Sequence, residues 1–166
     1  MRVGQGSRKI LLLIHILTSV GMMGAISCFF ALAWLGLVDV GAGPAVYPAM
    51  NIITQALIVP LALASLVIGT LQALVTQWGL MRHYWVLLKL VLTLIVVAIL
   101  LMQTANISLL GTLPADALAR PEWATTRFSM VLHAGGGFVV LALTLILSVY
   151  KPKGLTPYGW RHRASS

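Results

Sequence analysis

Nine of the eleven Lys and Arg residues fall in three short segments separated by four long apolar runs, and that alternation admits few folds. The runs, Ile10 to Val38, Ala49 to Trp78, Tyr84 to Gln103 and Phe128 to Tyr150, each reach or exceed the ~20 residues that a helix needs to cross a bilayer core. Lipid cannot hydrogen-bond a backbone, so runs of this kind are helices or closed barrels. Continuous apolarity without period-two alternation selects helices. The expected fold is all-α, a transmembrane four-helix bundle forming a single membrane domain over residues 1–166. Residues 151–166 are a basic tail, broken by Pro152, Gly154, Pro157 and Gly159, expected to lie along an anionic leaflet.

Charge placement sets the expected orientation. Arg2, Arg8 and Lys9, then Arg82 and Lys89, then Lys151, Lys153, Arg161 and Arg163 belong on one side, and the three acids Asp39, Asp116 and Glu122 with Arg120 and Arg127 on the other. By the positive-inside rule both termini are expected on the cytoplasmic side of an inner membrane. A net charge of +8 is then absorbed by the membrane surface and calls for no nucleic acid. Trp78, Tyr84, Trp85 and Tyr150 fall at the inner interface and Trp34, Tyr47 and Trp123 at the outer one, as aromatic belts do. The basic start and apolar run resemble a signal peptide. Yet apolarity continues to Val38, well past a 7–15-residue h-region, so the segment is expected to stay as the first span.

The connection Gly79 to His83 is short enough to pair the second and third spans, whereas Asp39 to Pro48 and Thr104 to Arg127 read as longer outer loops. Gly21 with Ala25, Ser65 with Gly69, and the run Gly135, Gly136, Gly137 supply small residues for close helix packing. Pro60 removes a donor within the second span and predicts a kink there. The single cysteine, Cys28, is expected to be an ordinary buried thiol.

HYWVLLKLVLTL, the preceding IVPLALASLVIGTLQALVTQWGLMR, HILTSVGMMGA in the first span and HAGGGFVVLALTLILSVYKPKG in the last resemble a group of small bacterial four-span integral membrane proteins known only as a domain of unknown function. WGLMRHYWVLLK and LSVYKPKGLTP are the most specific pieces. More distantly, His15 ahead of a glycine-bearing helix, and an aromatic-to-lysine helix start, are similar to the membrane domain of copper-resistance protein D. That resemblance permits copper handling without supplying a ligand set.

Polar groups inside spans are costly and are the functional candidates. In the outer leaflet His133 and Met130 share a helical face and lie level with Met50, Asn51, Gln55, Met102 and Gln103. They could form a copper(I) site, a polar pocket, or only packing contacts. His15 and His83 lie on parallel helices at depths differing by about 7 Å, which admits a b-type haem, whereas His15 and His133 are too far apart to share a metal. Lys89 can snorkel past Trp85. Together with Arg82, Lys151 and Lys153 it could meet lipid phosphate or anchor the interface. No span carries an Asp or Glu, no nucleotide loop or HExxH occurs, and no Ser/His/Asp set converges. No catalytic residue is assigned and no cofactor is expected. The expected role is a non-enzymatic bundle that binds lipid, a membrane-protein partner or a second copy. The alternatives are a haem or copper protein, and a small oligomeric permease with a groove of Asn51, Gln55, Gln72 and Gln103.

Overall fold

A chain in lipid must close its own backbone hydrogen bonds, and this one does so by running helix into helix with little irregular chain between. The computed structural model describes residues 4–76 and 78–164, of which 162–164 are described by backbone alone. Arg2 and the Arg163 side chain, counted among the basic groups, lie outside the described residues. Helix α1 (Gln5–Val38) opens the bundle. It ends at Asp39, whose carboxylate accepts from the Gly41 amide at 3.0 Å and turns the chain directly into a 3₁₀ turn at Val40–Ala42. Helix α2 (Gly43–Ile53) follows, with Pro44 in its first turn, where a missing N–H costs nothing. The expected outer loop at 39–48 is therefore almost entirely helical.

A π-helical turn, Thr54–Ile58, joins α2 to α3 (Val59–Val75). Its cause is Pro60: with no N–H there to meet the Ala56 carbonyl, the ladder widens, and the Val59 amide bonds Thr54 at i−5. The fully buried Thr54 hydroxyl donates back to the Met50 carbonyl at 2.8 Å. Helix α4 (Tyr84–Leu110) continues seven residues past the expected end at Gln103, because Thr104, Asn106 and Ser108 are tolerated where a helix leaves the hydrocarbon. A short α5 (Ala115–Leu118) and a 3₁₀ turn at Pro121–Trp123 lead into α6 (Ala124–Tyr150), and α7 (Pro157–Ala164) closes the chain. Among the described residues there is no strand, and four helical stretches are long and apolar enough to span a membrane.

The four long stretches alternate in direction, so one end of the bundle carries the start of α1, the end of α6 and the turn before α4, and the other the 39–43 and 111–123 connections; these are called basal and distal. Helix α1 packs chiefly on α6 and α3, and α4 closes the bundle against α6, α2 and α3. The distal half holds the densest packing: Tyr47, Met50, Leu110, Leu118 and Met130 are fully buried. Tyr47, expected in an interfacial belt, instead donates to the Gly36 carbonyl at 2.9 Å inside this core, where a Cβ on Gly36 would stand 2.8 Å from the phenol oxygen. Arg127, expected in a loop, is buried within α6 and donates to the Leu118 carbonyl, tying α5 to the bundle.

Apolar side chains cover the outside, among them Leu17, Leu74 and Val149. Cys28 is on this outer face rather than buried. The small residues act unequally. Gly21 meets Leu61, Ala25 is buried, and Ser65 bonds Ser19 at 2.9 Å, joining α1 to α3. Gly69 admits the His15 ring, whose Cε1 would lie 2.7 Å from an added Cβ. Gly135 meets Phe30, and Gly137 faces Ile26 at 3.9 Å, but a Cβ at Gly136 would meet nothing within 4 Å. Gly136 thus opens a gap instead of closing one, contrary to its expected packing role.

Candidate functional site

Basic side chains in sequence-distant segments converge only if the chain is bent to bring them together, and Lys151 is where this chain bends. It ends α6 in the left-handed conformation, φ 43°, ψ 62°, a region that costs a non-glycine residue about 1 kcal/mol. Pro152 then forbids helix, and the tail folds back across the basal end. Thr156 pins it there. Its amide donates to the Arg82 carbonyl at 3.0 Å and its hydroxyl to the Met81 carbonyl at 2.5 Å, while the same oxygen accepts from the Gly159 amide at 3.2 Å as the cap of α7. Pro157 occupies the first helical position. His83 and Leu155 form an isolated antiparallel bridge, and the Tyr84 amide donates to the Gly154 carbonyl at 3.4 Å. Gly159 lies directly on the Arg82 backbone.

The docked tail and the 78–85 connection enclose a cleft of about 780 Å³ walled by Arg82, Lys151, Lys153, Trp78, Trp85 and Trp160, with His83 in its lining. Lys151 Nζ stands 5.5 Å from the centre of the Trp78 ring. Trp78 meets Trp85 and His83 edge to face at 5.5 and 5.3 Å. His83 Nδ1 bonds the Trp78 carbonyl at 2.6 Å. No acidic residue lines this cleft, and the three acids of the chain are all in distal segments. Three cations and three indoles around one interfacial recess can hold a phosphate and stack on what it is attached to.

One turn deeper, Lys89 Nζ donates to Ser148 Oγ at 2.5 Å and stands 5.9 Å from the centre of the Trp85 ring. The expected snorkelling past Trp85 is therefore joined by a bond into the bundle, across the α4–α6 seam. On α1, His15 Nδ1 is buried without a hydrogen-bond partner.

The histidines of the expected metal sets lie in three different settings. His15 is wedged on Gly69 and lines neither of the two principal cavities, whereas His83 is held by Trp78 and Trp85 in the basal cleft. In the distal half Met130 is buried in the core and lines the same cavity as His133, while Met102 is 77% exposed on the outer surface. His133 instead shares hydrogen bonds with Ser129 and Gln103, whose carbonyl oxygen accepts from Asn106 at 2.8 Å. Gln55 is exposed on the outer surface, whereas Asn51 Oδ1 is buried and unpartnered. Among the described residues no three His, Cys, Asp or Glu side chains gather as a metal site.

The basal cleft was half visible in the sequence: Arg82, Trp85, Lys151 and Lys153 were candidates for phosphate, but Trp160, Leu155 and Gly159 were not. Their signal was Thr156-Pro157, a helix-start pair inside a tail read as surface-lying. No family model, curated protein or solved structure matches the chain.

Proposed function

We propose that this chain is a multi-pass protein of a bacterial inner membrane, with both termini cytoplasmic, whose non-enzymatic role is to bind an anionic phospholipid through its basal cleft. The convergence of Arg82, Lys151 and Lys153 with three tryptophans in a recess free of acids carries this reading. At the cytoplasmic leaflet such a cluster meets a negative surface potential, and each cation near that surface contributes about 1 kcal/mol toward anionic lipid. The bilayer itself is the first partner. Lipid-facing apolar surface on all four long stretches leaves room for a membrane-protein partner or a second copy.

The test is native mass spectrometry of the detergent-purified protein titrated with phosphatidylglycerol and with phosphatidylcholine of matched chains. Phosphatidylglycerol should bind about tenfold more tightly, a preference equivalent to about 1.4 kcal/mol, and the preference should vanish in the triple variant Arg82→Gln, Lys151→Gln, Lys153→Gln. Equal binding of the two lipids, or a preference that survives the triple variant, would refute the role of the cleft.

A further inference from the structure

The seam between α4 and α6 holds a second space. A cavity of about 270 Å³ is lined from Thr93 to Ile107 on α4 and from Met130 to Thr144 on α6, with Met22, Ile26 and Phe29 of α1 and Thr54 and Ile58 of the π turn behind it. Fourteen residues of helical rise make it about 21 Å long. Its walls are almost wholly apolar. Its mouth is at the side, where the lining residues Ile95, Ile99 and Leu132 are also exposed on the outer surface, and where Gly136 leaves the wall without a side chain. In a membrane that mouth faces hydrocarbon.

Packed interiors rarely retain voids of this size, and an apolar cavity of ~150 Å³ already accommodates a benzene molecule. The walls, apolar apart from Gln103, His133 and three threonines, favour a chain of methylenes over a hydrated ligand. Lining by Gly136 and Gly137 gives the glycine run a purpose that helix packing does not, since of the three only Gly135 is held against another helix at close range.

The cavity and the basal cleft lie on one line. On α4, Trp85 walls the cleft, Lys89 is one turn on, and Thr93 begins the cavity; on α6, Thr144 ends the cavity, Ser148 is one turn on, and Lys151 walls the cleft. Only the turn that carries the Lys89–Ser148 bond separates them. A lysine ammonium at this depth requires an anion or a route to water, and no span offers a carboxylate.

We infer that the cleft, the Lys89–Ser148 pair and the α4–α6 cavity form one amphiphile site, which takes an anionic bilayer lipid with its phosphate in the cleft and one acyl chain in the cavity. Lys89 is the neck: it turns its ammonium toward the phosphate and leaves Ser148 to the Thr144 carbonyl, which that hydroxyl already reaches at 2.8 Å. The chain enters sideways, past Gly136. This inference rests on the lipid-binding reading of the cleft and adds the fate of the tail.

The experiment uses the full-length protein in nanodiscs doped with a phosphatidylglycerol carrying a diazirine midway along one acyl chain, with adducts mapped by peptide mass spectrometry after illumination. Adducts should concentrate on residues 93–107 and 130–144, saturate at one per chain, and fall about tenfold, ~1.4 kcal/mol in binding, in Gly136→Leu. That variant has free space at its Cβ, so its fold is readable by an unchanged melting temperature. Lys89→Met should lower the same adducts for phosphatidylglycerol by more than those of a phosphatidylcholine probe, whose choline offsets the phosphate charge. Adducts spread evenly over lipid-facing α1 and indifferent to Gly136→Leu would overturn the inference while leaving the headgroup preference of the cleft intact. Cavity adducts equal for both lipids and indifferent to Lys89→Met would overturn the continuity of the two spaces. Loss of headgroup preference alone, with cavity adducts retained, would instead strike the cleft.

Discussion

At the scale of single residues, Lys151 does two things that one substitution can separate. It bends the chain through a left-handed conformation and it places an ammonium against Trp78. Glycine at this position removes the charge yet relieves a strain of about 1 kcal/mol, so Lys151→Gly should melt at or above the wild-type temperature while binding phosphatidylglycerol several-fold more weakly. Lys151→Gln loses the charge and keeps the strain, and should weaken binding without the stability gain. Equal binding by both variants and wild type would remove Lys151 from the site. Tyr47 is the converse, a residue of stability alone. Tyr47→Phe leaves the Gly36 carbonyl without its donor and should cost about 1 kcal/mol in detergent unfolding, with lipid preference unchanged. The charge of Lys151 was readable in advance, but its bend and the burial of Tyr47 were not. Tyr47 lies where an interfacial tyrosine is usual, and its burial follows from Gly36, eleven residues earlier, which alone allows the phenol so close to α1.

At the scale of elements, the number and placement of the long helices were legible because hydropathy reports solvent directly. The first outer connection was not. Asp39 to Pro48 carries glycines and prolines that mark turns in water, but here Pro44 starts a helix and Pro48 lies inside it. Pro60 was correctly marked as a disturbance, although its form, a π turn before the proline rather than a hinge at it, depends on Thr54 and Met50 packing. The docking of the tail was not legible because its partners lie over seventy residues away in sequence. If α7 is a strap that walls the cleft, its fastening is testable separately from its charge. Thr156→Ala removes a cap worth about 1 kcal/mol and the bond to Met81. Gly159→Ala drives a Cβ into the Arg82 backbone. Either should raise amide exchange across residues 155–164 and at 82–84 while leaving α1 and α3 protected. Exchange confined to the tail, with 82–84 unaffected, would show that the two segments do not support each other.

At the scale of the whole molecule, packing and charge run in opposite directions along the bundle axis. The distal end is closed by fully buried Tyr47, Met50, Leu110 and Leu118 and by buried Arg127, whereas the basal end gathers cations around an open recess. A protein built this way is rigid at one membrane face and receptive at the other, and the proposed function requires the receptive face to be the one that meets anionic lipid. The orientation therefore carries consequences beyond topology. If both termini are cytoplasmic, a fluorescent protein fused after Ser166 should fluoresce and alkaline phosphatase fused at the same point should be inactive, while phosphatase placed within the 111–123 connection, beside Asp116, should be active. Neutralising Arg82, Lys151 and Lys153 together should shift this pattern toward mixed orientation, because those charges act on insertion as well as on lipid. An active phosphatase at the C-terminus of the unaltered chain would place the cleft in the wrong leaflet for a cytoplasmic surface potential, and the proposed preference for phosphatidylglycerol would then have to arise from the local contacts of the cleft alone.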